Sequence, residues 1–117
     1  AVLSDMMQCD LAVQLYRTEV KGIRGRQLCL RAVARALATT ACVRLVLDRN
    51  DPAVKSDNQI LRSELSTSWR GTYDHLHDHE EPLLSFADGV AWAWHRGGDW
   101  RSAVERLHIT TIKVDLI

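Results

Sequence analysis

Val43-Arg44-Leu45-Val46-Leu47 runs straight into Asp48-Arg49-Asn50-Asp51-Pro52. The first five residues have the short, β-branched, apolar character of a buried strand, and the next five are residue types that stop strands and make turns. The pattern predicts a strand over 43–47 that delivers two carboxylates, Asp48 and Asp51, at its carboxyl end. On the amino-terminal side, Leu30, Val33, Ala34 and Leu37 recur at i, i+3, i+4 and i+7, which predicts a helix from about Gly25 to Thr39. Arg24, Arg31 and Arg35 then share its opposite, solvated side. Leu11 to Tyr16 reads as an earlier strand.

On the carboxyl-terminal side, Ser56 or Asp57 can cap a helix through about Leu65, and Ser66 to Gly71 reads as a connection. Tyr73 to His77 has the character of a short strand. Pro82 suits the first turn of a helix running to Trp94, apolar nearly all the way round and closed by Gly97-Gly98, which predicts burial. Asp99 can cap a short helix to Leu107, and Ile112, Val114 and Leu116 alternate as in a final strand within 109–117. Strands alternating with helices point to an α/β layer architecture.

Composition bounds the function. The 117 residues are 46% apolar and 26% charged, enough for one globular domain and too apolar for a disordered tail. Fifteen basic residues balance fifteen acidic ones, so no bulk charge draws the chain to nucleic acid or anionic lipid. No apolar run approaches the ~20 residues of a membrane span, and Ala1-Val2-Leu3-Ser4-Asp5 lacks the basic region of a signal peptide, so the expected location is cytoplasmic. Cys9, Cys29 and Cys42 are odd in number and form no CxxC, which fits reduced thiols better than a disulfide framework.

The distribution of charge says more than its total. Seven bases stand against Glu19 alone from Arg17 to Leu47, whereas nine acids stand against four bases from Asp48 to Asp88. That segregation fits a protein that holds a polyanion by one face, with Arg24, Arg31 and Arg35 as contacts, and metal ions by another. A solvated arginine face is the plainer reading. Asp88, set between Phe86-Ala87 and Val90-Ala91-Trp92, needs a compensating partner if its helix is buried: an arginine, or a divalent cation shared with Asp48, Asp51 and Glu81. His75, His77 and His79 alternate and would converge on zinc only if the backbone stays extended; a solvated loop is the simpler reading. Trp69, Trp92, Trp94 and Trp100 are read as core or surface-of-core rather than as base-stacking surfaces.

Glu81-Pro82-Leu83-Leu84, Phe86 to Trp94 and Arg96-Gly97-Gly98-Asp99-Trp100-Arg101 together resemble the carboxyl-terminal segment of a group of actinobacterial proteins related to the ribonuclease-H-like superfamily of nucleases and integrases. Val43 to Asp48 with Asp51 is similar to the middle strand and acidic turn of that group, and Tyr73 with His75 to its next strand. The resemblance spans roughly Leu11 to Leu107 and is specific only in the terminal helix segment. It implies a ribonuclease-H-like mixed sheet flanked by helices, and acids binding magnesium or manganese for phosphodiester hydrolysis, with Asp48 and Asp88 as catalytic ligands and Asp51 and Glu81 assisting. One departure stands out: the superfamily's first acid lies on an opening hairpin strand, and too little sequence precedes Leu11 to hold it. The alternative is a noncatalytic interaction or scaffold domain of the same fold, with Asp88 paired to an arginine.

Overall fold

A computed structural model describes residues 12–42, 44–65, 69–107 and 109–114. Along the chain these form β1 (Gln14–Arg17), α1 (Gly22–Leu37), β2 (Arg44–Asp48), a 3₁₀ turn (Asp51–Ala53), α2 (Val54–Glu64), β3 (Thr72–Leu76), α3 (Pro82–Arg96), α4 (Gly98–Glu105) and β4 (Thr110–Lys113). The α/β class expected from the alternation of periods is therefore found. Among the described residues the strands form two separate pairs, β1 with β4 and β2 with β3, where the resemblance implied one mixed sheet. Val43, Leu11 and the last residues of the expected final strand lie outside the described residues. No helix among the described residues is long and apolar enough to cross a membrane.

The chain divides into two units: the described residues of 16–76 and 113–117, and those of 1–15 and 77–112. In the first, β2 and β3 are parallel, with Arg44 opposite Thr72 and Asp48 opposite Leu76. A parallel pair needs a crossover, and α2 supplies it. Its core is Ala34, Leu47, Leu61 and Leu65, with Leu30, Leu37, Leu45, Trp69 and Tyr73 packed around them. Gly25 is buried where α1 passes the preceding backbone, and a Cβ there would stand 2.0 Å from the carbonyl oxygen of Val20. Only a residue without a side chain fits that approach.

In the second unit α3 packs against α4, and its buried residues are Phe86, Val90, Ala93 and Val104. Pro82 sits at the first turn of α3 as expected, and the Glu81 side chain caps it by accepting from the Leu83 amide at 3.4 Å. Gly97, at φ 75°, closes the helix in the left-handed region that glycine adopts without strain. The expectation that α3 is buried all round is corrected. Only the stripe Phe86, Val90 and Ala93 is buried, at spacings of four and three, while Ala87, Asp88, Ala91 and Trp92 are exposed. Alanine adds little apolar area to the outward side, and Trp92 lies edge-on to Trp100 at 5.0 Å, both about half exposed. Of core or surface-of-core, the two places expected for the tryptophans, these two take the second.

Candidate functional site at the carboxyl ends of the parallel strands

Three elements of the larger unit converge where β2 and β3 end. The 3₁₀ turn leads from β2 directly into α2, so the first turn of α2 stands at that end. Asp57 lies in this turn and is completely buried. Both terminal nitrogens of Arg26, from the second turn of α1, donate to it: Nη1 to Oδ1 at 2.5 Å and Nη2 to Oδ2 at 3.0 Å. From β3, His75 brings Nε2 within 3.3 Å of Oδ2, with only 8% of its side chain exposed. A buried carboxylate without partners is costly, and here three nitrogen contacts satisfy it. Bidentate pairing also fixes the orientation of the guanidinium.

The charges around Arg26 agree. Its hydrogen bonds with Asp57 hold the guanidinium above its ordinary pKa against the opposing effect of burial, and the negative charges of Asp57 and Asp48 add to this. Asp48 is thus close enough to act on Arg26, yet its own side chain is exposed. The carboxyl edge of a parallel pair is where open α/β sheets gather ligands. What the edge presents is an exposed carboxylate whose charge acts on a braced arginine.

The remaining expected residues are placed as follows. Asp51 lies in the 3₁₀ turn and accepts from Arg49 Nε at 2.6 Å. Glu81 caps α3 from outside it, so it is not on the first turn with Asp88 along one helix face. Asp88 is exposed and needs no buried counter-charge; among the described residues no arginine pairs with it. Arg31 and Arg35 both pair with Glu64, at 2.7 Å each, while Arg24 is exposed. Together with Arg26–Asp57, these pairs advance along α1 and α2 in the same sense, so the helices lie parallel and stitched.

The alternating histidines do not share a strand, because β3 ends at Leu76 and residues 78–80 form a turn. His77 and His79 stack on each other at 5.4 Å, both exposed, and His75 turns to Asp57 instead. Among the described residues, no group of three or more His, Cys, Asp or Glu side chains stands together as a metal-holding set. Cys29 and Cys42 are free and half-buried, as expected of reduced thiols, and burial pushes the Cys29 thiol up; Cys9 lies outside the described residues.

Arg26 and Asp57 were not among the expected site residues, although the sequence carries a signal for each. Asp57, Ile60, Leu61 and Glu64 fall on one face at helical spacing, which puts two acids on an apolar stripe. Arg26 likewise continues the Leu30, Val33, Leu37 face. No protein-family model, curated protein or solved structure matches the chain.

Proposed function

We propose that this chain is a nuclease-like α/β domain that acts on nucleic-acid phosphodiesters at the carboxyl ends of β2 and β3, with magnesium or manganese as its ion. One observation carries the reading: Asp48 leaves an exposed carboxylate at the end of β2, and its charge acts on a guanidinium that Asp57 holds in place. Zinc does not suit the donor set, since structural and catalytic zinc sites take three or four protein ligands. Magnesium suits it better, because it keeps several waters and takes one or two carboxylates together with substrate phosphate oxygens. When bound, such an ion would supply charge to the phosphate oxygens and acidify a water. Asp48 would hold it; Asp51 is engaged by Arg49, and Glu81 by the Leu83 amide.

A second reading, a noncatalytic interaction domain, draws on the arginine helix. Arg26, Arg31 and Arg35 all face acids on α2, so two of the three arginines expected on a polyanion face, Arg31 and Arg35, serve with Arg26 to join two helices.

Thermal melting with Mg²⁺ or Mn²⁺ separates the two. On the nuclease-like reading, either ion raises the Tm of the wild type, and the rise disappears in Asp48→Asn. Cleavage of a fluorescent oligonucleotide is lost in Asp48→Asn. Equal metal-induced shifts in wild type and Asp48→Asn, without cleavage, refute that reading and leave the interaction domain.

A further inference from the structure

Resting on the reading of this edge as one that meets phosphodiesters, we infer that Arg26 is its phosphate-binding residue, held in place by Asp57 and His75. A guanidinium offers five N–H donors in a rigid plane, and a carboxylate bound through both terminal nitrogens uses only one edge of it. Asp57 takes that edge. The other edge, made of Nε–H and the neighbouring outward N–H, can grip two oxygens of a second oxyanion side-on. Among the described residues nothing bonds to Nε of Arg26.

Burial supports the division of labour. The Asp57 side chain is 0% exposed and that of Arg26 39% exposed, so the carboxylate is wholly covered while the arginine that pairs with it keeps contact with solvent. His75, on the far side of Oδ2, restrains the same carboxylate and is itself nearly covered. The arrangement pre-orients a donor edge, which lowers the ordering cost of binding.

Asp48 adds a condition. Its charge acts on Arg26, so without a divalent cation it works against an incoming anion. Removing that charge should therefore strengthen phosphate binding in a metal-free buffer, which is the reverse of its expected effect on the metal-dependent activity.

The test follows the arginine Nε–H signals by ¹⁵N–¹H NMR in EDTA while tetrathymidylate, with or without a 5′-phosphate, is titrated in. The Arg26 signal is assigned by its absence in Arg26→Lys, a variant that keeps a charge for Asp57 but has no second edge. The Arg26 signal should move in the wild type, Arg26→Lys should bind at least tenfold more weakly, and Asp48→Asn should bind at least twofold more tightly. Dependence on the 5′-phosphate identifies a terminal phosphate, and equal binding of both strands identifies the backbone diester. A stationary Arg26 signal, or equal affinity in Arg26→Lys, overturns the inference. If Arg26→Lys fails to fold, the Arg26 signal is assigned through the scalar couplings that link Nε to its own side chain and backbone, and its shift in the wild type decides. Since no divalent ion is present, this result stands apart from the metal-dependent melting that judges the nuclease-like reading.

Discussion

Removing Arg26 should harm the fold more than removing the charge of Asp57, although the two make one ion pair. In Arg26→Met the aliphatic stem remains, but a carboxylate that is 0% exposed is left with His75 alone. Breaking a buried pair by deleting one partner costs about 3–5 kcal/mol, and the partial exposure of Arg26 places this case near 3 kcal/mol. In Asp57→Asn the guanidinium can turn into water and the amide keeps an acceptor oxygen, so the loss is that of charge-assisted hydrogen bonds, about 1–2 kcal/mol. Urea unfolding followed by far-UV circular dichroism measures both. With a slope of about 2 kcal/mol/M, the midpoint should fall by about 1.5 M for Arg26→Met and by about 0.5–1 M for Asp57→Asn. The double variant should cost less than the two single costs added, because each single already breaks the shared interaction. If Arg26→Met costs under about 1 kcal/mol, or Asp57→Asn proves the more damaging, Asp57 does not depend on Arg26 and the bracing argument fails.

Two glycines should respond in opposite directions. Gly25→Ala forces a Cβ into the Val20 carbonyl and should cost about 3 kcal/mol, whereas Gly89→Ala, inside α3 with nothing within 4 Å of the new Cβ, should gain about 0.5–1 kcal/mol; thermal melting reads both. Glu64 should give the acid limb of stability a recognisable component. Its hydrogen bond from Arg35, with those from Arg31 adding and burial opposing, holds its carboxyl below the ordinary value. Stability from this group is therefore present above about pH 4.3, the unfolded value, and is lost as pH falls through the lower folded one. Glu64→Gln should cost about 1 kcal/mol at neutral pH, since both arginines are partly solvated, and should flatten the stability profile below pH ~4.3; a series of urea titrations from pH 7 to 3 checks it.

Pattern carried the elements well, and it carried the site less well for reasons that particular residues make plain. The strand before Asp48 was legible because its apolar run ends at a dense group of turn formers, and an exposed acid there follows from chain direction alone. Asp57 was misread because an aspartate near a helix start is most often a cap. The 3₁₀ turn at Asp51–Ala53 starts the helical path early, so Asp57 lies within the first turn of α2 rather than at its cap, facing inward. Asp88 was misread for the converse reason: apolar neighbours predict burial only when something packs on them, and Ala87, Ala91 and Trp92 face outward. His75 showed only alternation with its neighbours; its contact with a helix eighteen residues earlier is a tertiary fact that no local window contains. Partnering across elements, which decides whether an acid is a ligand, a brace or a solvated charge, is what local periodicity cannot encode.

The two strand pairs differ in how far apart their members lie in the chain, and that difference sets an order of assembly. Arg44 and Thr72 are fewer than thirty positions apart, joined by a helix that forms locally. Val13 and Thr110 are nearly a hundred apart, and both the bond from Thr110 N to Val13 O at 3.1 Å and that from Val114 N to Arg17 O at 2.7 Å advance in the same sense, so this pair is parallel too. Closing so long a loop carries an entropic cost that nothing repays until the intervening chain is in place. The ribbon of β1 and β4 should then be a late event in refolding and an early one in unfolding, with amide protons that exchange sooner than those of β2 and β3.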